Sequence, residues 1–208
     1  MYISDPSQIE TKSMSIIDTY LTTDHWSEDE LPVVKRMIHT TGDVTYQEII
    51  HFQGDPVSAG KKAILNGAKI VTDTMMAFSG INKPLLAKAG CTIHNFVSDP
   101  KIATIAKERG VTRSMAAMEH AVSINSEIYV VGNAPTALFR LGELIKEGKA
   151  DPKLVIAVPV GFVGAAESKE FIRGIDVPSI STEGFKGGSN VAAAVFNAIL
   201  YQTIERDA

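Results

Sequence analysis

The sequence predicts an α/β fold built on a parallel sheet, and three observations support this prediction. From residue 66 onwards, short apolar runs alternate with stretches that have the periodicity of helices. Each run is continuously apolar, as expected of strands that are buried on both faces of a parallel sheet. No linker interrupts the series, which is typical of consecutive βαβ units. The predicted strands are AKIVTD (68–73), CTIHNFVSD (91–99), EIYVVGN (127–133), KLVIAVPV (153–160) and VPSIST (177–182).

Five such strands indicate a flavodoxin-like, three-layer α/β/α arrangement with the strand order 2-1-3-4-5. A chain of 208 residues is long enough to bury the core of one such domain. We therefore predict a single domain over residues 1–208, with a helical extension at 1–65 and the parallel βα core at 66–208. The helices of the core are predicted at 77–89, 100–109, 113–124, 134–147, 165–173 and 188–205.

The first 65 residues have helical patterns and no convincing strand. The motif SQIE (7–10) matches a capping box, which predicts the start of a first helix. Ile9, Ile16 and Tyr20 continue it as a helical apolar stripe. Ser13 lies on the same helix, and a serine in mid-helix usually faces water or bonds to the preceding turn.

The second predicted helix carries Arg36 and His39. It begins near Pro32, and Gly42 supplies a helix stop. Residues three apart are neighbours on one helix face, and the negative end of the helix dipole favours a protonated imidazole in the last turn. His39 is thus placed to act as an acid beside a cation that could hold an anionic ligand, although an ordinary surface pair is the alternative. Two further short helices are predicted at 45–52 and 56–65.

Composition restricts the class of protein. The chain is 45% hydrophobic and 21% charged, and its net charge of −4 argues against nucleic-acid or membrane-surface binding, which usually needs a basic patch. Cys91 is the single cysteine, so an intramolecular disulfide is impossible. The five histidines never fall at metal-ligand spacing, so no metal site is expected. No apolar run reaches about 18 residues and no signal-peptide pattern is present, so a cytoplasmic location is expected.

Glycines and other small residues collect in the turns that follow the predicted strands. Ligands of open parallel sheets bind beyond the carboxyl ends of the strands, where helix N-termini offer free N–H groups to anions. The run KGGSN (186–190) is the clearest case. The nucleotide motifs G-x-G-x-x-G and G-x-x-x-x-G-K-[ST] and the nucleophile elbow G-x-S-x-G are absent. These turns predict a broad, anion-accepting pocket. Side chains that would give it apolar surface, unless they pack in the core, are Met75, Met76, Phe78, Phe162 and Val163.

Together these motifs closely resemble the precorrin-8X methylmutase family, which includes the cobalt-precorrin-8 methylmutases. The resemblance runs nearly from end to end, and the motifs are long, unusual and in the family's order. They are RMIHTTGD (36–43), TDTMMAFSGINK (72–83), GVTRSMAA (110–117), GNAPTALFRL (132–141), VPVGFVGAAESKE (158–170) and KGGSNVAAA (186–194).

The resemblance implies an isomerase of cobalamin biosynthesis. Members of the family move a methyl group from C11 to C12 of a corrin precursor without a cofactor, which gives hydrogenobyrinic acid or its cobalt form. The histidine of RMIHTTGD, here His39, corresponds to the catalytic residue, and Arg36 and Ser13 correspond to substrate-binding positions. The resemblance also implies a homodimer.

The implied substrate is a large flat macrocycle edged with carboxylates. It needs a wide apolar cleft rimmed by cations and N–H donors, and a methyl shift around its conjugated ring needs a proton and no nucleophile. Arg113 could bind substrate or could instead be a surface ion-pair residue, and Lys169 is predicted to be a solvated helix residue. Placement at the strand-end edge makes five further residues substrate-binding candidates, namely Arg113, Asn133, Lys186, Gly187 and Ser189.

Two other functions remain open on the sequence. A non-catalytic tetrapyrrole carrier would use the same cleft. A flavodoxin-like enzyme of phosphorylated metabolites would use the anion-accepting turns.

Overall fold

The computed structural model describes residues 2–22 and 26–205, in which six strands form one mixed sheet of order β1-β6-β5-β4-β2-β3. The strands are β1 (Ile50–Gln53), β2 (Lys69–Thr72), β3 (Thr92–His94), β4 (Ile128–Val131), β5 (Leu154–Ala157) and β6 (Ser179–Thr182). The helices are α1 (Pro6–Asp18), α2 (Leu31–Thr41), α3 (Tyr46–Ile49), α4 (Pro56–Leu65), α5 (Met75–Gly80), α6 (Lys83–Lys88), α7 (Pro100–Arg109), α8 (Arg113–Ser123), α9 (Pro135–Lys146), α10 (Ala165–Arg173) and α11 (Ser189–Thr203).

The first strand corrects the predicted sheet. Strands β2 to β6 pair in parallel, but β1 pairs antiparallel with β6, with Ile50 opposite Thr182. A wholly parallel sheet of five strands is therefore wrong in strand number and in direction. The helix predicted at 45–52 is also wrong in its second half, because α3 ends at Ile49 and the chain continues as β1. This edge strand contains His51 and Gln53, so a search for continuous apolar runs does not find it.

Alternate residues of the central strands belong to two different cores. Ile128 and Val130 of β4 pack in the core that includes α2, α4 and α11. Tyr129 and Val131 pack in the core that includes α8, α9 and α10. Successive side chains of a strand point to opposite faces, so only a continuously apolar strand can fill both cores. Helices accordingly cover both faces of the sheet.

The N-terminal segment shares one of these cores. Val34, Met37 and Ile38 of α2 are buried in the same cluster as the strand residue Ile156. The predicted capping box is wrong, since α1 is capped by Asp5, whose carboxylate accepts the N–H groups of Ser7 and Gln8. His25 lies outside the described residues.

Other boundaries differ by small amounts. The helix predicted at 77–89 is two helices, because α5 ends at Gly80 and Asn82 caps α6 by accepting the Leu85 N–H. In the part of the chain that the structure describes, no helix is both long enough and apolar enough to cross a membrane.

Candidate functional site

A cleft of about 620 Å³ lies between α1 and the end of α2, and His39 lines it. The apolar wall comes from α1, which buries only Ile17, and from the turn that follows it. Ile9 and Ile16 of α1 and Tyr20 of the turn are about half exposed. These three side chains fit the pattern of a core-facing stripe, so the sequence gives no signal that they line a cleft. The cleft is lined by Ile3, Ile9, Lys12, Ser13, Ile16, Ile17, Tyr20, Ile38, His39, Gly42 and Val44.

His39 is positioned by the packing and the termination of α2. Met37 and Ile38 are buried, which leaves His39 on the exposed side of the helix. Gly42 ends the helix in the left-handed conformation, with a φ of 65° that glycine adopts readily. His39 lies in the last turn, as predicted.

The structure brings Ser13 and His39 together. Ser13 Oγ lies 2.8 Å from His39 Nδ1. In the neutral ring Nδ1 can accept the serine proton, which puts the ring proton on Nε2; in the protonated ring Nδ1–H donates to Ser13. In both cases Nδ1 is engaged, and Nε2 is the nitrogen left for a ligand.

Arg36 does not line the cleft that contains His39, although both residues are on α2. Its Nη2 donates to Glu10 Oε1 of α1 at 2.5 Å, and its guanidinium carbon lies 5.3 Å from the centre of the Tyr201 ring. It lines two other clefts, one of about 770 Å³ between α1 and α2 that Lys35 also lines, and one of about 240 Å³ that Asn190 also lines. The predicted anion-binding arginine therefore already holds a carboxylate of its own chain.

Lys12 is a cation that the sequence reasoning missed. It is exposed, lines the His39 cleft and makes no ion pair among the described residues. Lys12 and Ser13 are consecutive, and consecutive residues of a helix do not lie on the same face. Their position in one cleft is therefore visible only from the packing of α1 against α2.

Lys186 reaches the end of the helix that carries His39. Its Nζ lies 2.5 Å from Asp43 Oδ2 and 2.8 Å from Thr45 Oγ1. The hydrogen bonds from Lys186 and then from Thr45 lower the pKa of Asp43 to about 2. The Tyr46 hydroxyl donates to the Gly187 carbonyl at 3.4 Å. The loop 183–188 is thus fixed to the residues that follow α2.

Gly187 and Ser189 have packing roles in the structure. A Cβ on Gly187 would lie 2.1 Å from the Val158 carbonyl oxygen, so only glycine fits there. Ser189 is buried, with its Oγ 2.8 Å from Thr74 Oγ1. Both residues hold the start of α11 against the ends of the strands.

Arg113 and Asn133 are exposed and do not line the His39 cleft. Arg113 is the first residue of α8 and makes no ion pair within the described part of the chain. Asn133 contributes its backbone N–H to a buried carboxylate, that of Asp73, at 2.7 Å.

Asp73 occupies the crevice where the strand order reverses. It follows β2, is buried, and accepts the N–H groups of Gly132, Asn133 and Ala134 at 2.7–2.9 Å, just before α9. Open α/β sheets bind ligands at such a switch point, which lies between β2 and β4 here. The Asp73 carboxylate therefore occupies the N–H groups that a bound anion would otherwise use at this point.

Three helix starts at the same edge have no side-chain cap, and at one of them, α9, Asp73 accepts the N–H groups just before the helix. Gly164 precedes α10 and Gly188 precedes α11, whereas Thr74, Asp99 and Thr112 cap α5, α7 and α8. The uncapped N–H groups lie beside two exposed loop tips, in which the rings of Phe162 and Phe185 are 5.1 Å apart. Side chains of the protein already accept the N–H groups at the other helix starts, so fewer turns are open to an anion than the sequence predicts.

The prediction for Lys169 is wrong. Its side chain is fully buried on α10, with Nζ 2.9 Å from the Lys186 carbonyl oxygen and 3.1 Å from Thr182 Oγ1. Burial lowers the pKa of Lys169 to about 8, and the nearby charge of Arg173 adds to this effect. Within residues 2–22 and 26–205, no three His, Cys, Asp or Glu side chains are arranged to hold a metal ion.

Comparisons with known proteins match the chain over nearly its whole length. The family model for precorrin-8X methylmutase matches residues 8–202. A cobalt-precorrin-8 methylmutase from Salmonella typhimurium is 43% identical, over 98% of this chain and 99% of that protein. A precorrin-8X methylmutase from Sinorhizobium sp is 35% identical, over 95% of each chain. The crystal structure of a precorrin-8x methyl mutase from Thermus thermophilus superposes with a TM-score of 0.87 at 36% identity, over 97% of this chain and 100% of that one. This chain therefore belongs to the precorrin-8X methylmutase family.

Proposed function

We propose that this chain is an isomerase of cobalamin biosynthesis. It moves a methyl group from C11 to C12 of the substrate. Precorrin-8X then gives hydrogenobyrinic acid, and cobalt-precorrin-8 gives the cobalt form, cobyrinic acid. The observation that carries this proposal is His39, held at Nδ1 by Ser13 in an apolar cleft of about 620 Å³.

The proposed chemistry uses one proton. Migration of a methyl group around a conjugated ring requires that the electrons of the ring be redistributed, and protonation does this. Ser13 fixes the imidazole, and Nε2 then donates the proton to the macrocycle and later accepts it back. A positioned general acid contributes about 10²–10⁴-fold to a rate.

Apolar and charged groups around the cleft suit a carboxylated macrocycle. The exposed faces of Ile9, Ile16 and Tyr20 give a surface on which a flat ring can stack. Lys12 offers an ammonium group to a peripheral carboxylate on the same wall. Arg36 binds a second substrate carboxylate, which replaces Glu10 in a charge-assisted pair.

The remaining predicted residues bind at the strand-end edge. Arg113 and Asn133 offer exposed side chains to the rim of the substrate. Lys186, Gly187 and Ser189 present the uncapped start of α11, whose N–H groups attract a carboxylate. Ser13 contacts both the substrate and His39.

The alternative of an enzyme for phosphorylated metabolites has less support. Its phosphate would bind at the switch point of the sheet, and the Asp73 carboxylate already occupies the N–H groups there. A carboxylate at that position also repels a phosphate.

The test is incubation of the purified protein with metal-free precorrin-8X and, separately, with cobalt-precorrin-8, while the visible spectrum is followed. We expect the spectrum of at least one substrate to change to that of its isomer at catalytic protein concentrations. A spectral change that stops at one equivalent of bound ligand would instead identify a tetrapyrrole carrier.

We also propose that the chain forms a homodimer through the apolar loop tips beside α10 and α11. Phe162 and Val163 are 88% and 90% exposed, and Phe185 contacts Phe162. A cluster of this kind on a protein surface marks an interaction site.

We expect sedimentation equilibrium of the wild-type protein to give twice the mass of one chain, and that of Phe162→Asp to give the mass of a single chain. Ile105→Asp on α7 is the control, and a wild-type mass of one chain would contradict the proposal.

A further inference from the structure

Lys169 occupies a position that is costly for the fold. Its side chain has no exposed surface, and removal of an ammonium group from water costs several kcal/mol unless an anion compensates it. Lys169 forms no ion pair in the described part of the chain. The charged group whose field acts on it is Arg173, another cation. A side chain of similar length without the charge would stabilise the fold better.

The polar contacts of Lys169 all lead to one loop. Its Nζ donates to the Lys186 carbonyl oxygen at 2.9 Å and to Thr182 Oγ1 at 3.1 Å. Thr182 Oγ1 in turn donates to the same Lys186 carbonyl at 2.7 Å. The three groups form a closed triangle, in which the Lys186 carbonyl accepts two hydrogen bonds.

The other side of this loop reaches the end of α2. Lys186 Nζ binds Asp43 and Thr45, and Tyr46 binds the Gly187 carbonyl. Asp43 follows Gly42, which ends the helix of His39. A continuous series of contacts therefore joins the buried ammonium on α10 to the end of the helix that carries His39.

We propose that Lys169 is a positioning residue, which fixes the loop 183–188 against Asp43 and so sets the surface that receives the substrate beside His39. The part of this inference that concerns substrate rests on the proposed function. The part that concerns the loop does not, because the Lys186–Asp43 pair is a contact between two side chains of this chain.

The test uses Lys169→Met, which keeps the length of the side chain and removes its charge, with Lys107→Met on the exposed end of α7 as the matched control. Three quantities are measured, namely the Tm, the pKa of the Asp43 carboxyl by carbon NMR, and the KM and kcat of the methyl shift. We expect an equal or higher Tm and a rise of the Asp43 pKa from about 2 towards its ordinary value of about 3.9. We expect KM to rise on the order of 10-fold, since misplacement of a positioning group by about 1 Å costs up to ~10²-fold.

A folded Lys169→Met variant with unchanged Asp43 pKa and unchanged KM would overturn the proposal. A lower Tm with an unchanged KM would also overturn it, because it would assign Lys169 to stability alone. If Lys169→Met does not fold, Thr182→Val decides by the same measurements, since it removes another corner of the triangle. A wild-type protein without isomerase activity would refute the proposed function, while a raised Asp43 pKa in the variant would still establish the role of Lys169 in the loop.

Discussion

His39→Ala is expected to bind the corrinoid substrate and to lose methyl migration by about 10²–10⁴-fold, the usual contribution of a general acid. The side chain is exposed at the end of α2, so its removal leaves the core of the protein intact. The measurements are a spectroscopic binding titration and the turnover rate. His120→Ala is the matched control, because His120 lies in the last turn of α8, packs against Phe96 and does not line the cleft.

Arg36→Ala provides the opposite pattern in the same assay. Loss of the guanidinium should raise KM more than it lowers kcat, since Arg36 is proposed to hold a carboxylate and to take no part in proton transfer. Undiminished turnover in His39→Ala would exclude the proton-donor role. Normal binding with slow turnover in Arg36→Ala would move the catalytic role to the arginine.

Asp73→Ala is expected to lower the free energy of unfolding by at least ~3 kcal/mol. The substitution leaves three N–H groups before α9 without their acceptor, and each unsatisfied buried group costs about 1–3 kcal/mol. The measurement is urea unfolding of the variant and the wild type. Asp99→Ala is the control, because Asp99 caps α7 with one hydrogen bond to the Lys101 N–H and its loss should cost about 1 kcal/mol.

Equal destabilisation by the two aspartate substitutions would show that the network around Asp73 contributes no more than a single helix cap. A different result would be an Asp73→Ala variant that stays folded and binds inorganic phosphate. It would show that the switch point is an anion site that Asp73 keeps closed.

The sequence predicted features that depend on neighbours along the chain. The end of α2 follows from a 3.6-residue apolar period and a glycine stop, so the position of His39 in the last turn is confirmed. The apolar runs at β2, β4 and β5 are equally local signals, because a strand buried on both faces must be apolar throughout.

The same local reasoning failed where a distant segment decides the environment. The edge strand β1 forms only because β6, more than a hundred residues later, offers it a partner. Lys169 has the sequence context of a solvated helix residue, but α10 packs this position against β6 and the loop 183–188. Asp73 bonds to a turn about sixty residues away, which no spacing rule predicts.

For the candidate site, the sequence alone determined which helix carries His39 and Arg36, and the family resemblance added Ser13. Only the tertiary structure decided that Ser13 contacts His39, that Arg36 faces Glu10 outside the cleft, and that Lys12 and the apolar residues of α1 line it. The physical reason is that helical periodicity fixes the face on which a side chain lies. The segment that covers that face is fixed by packing between helices, which the spacing of residues within one helix does not encode.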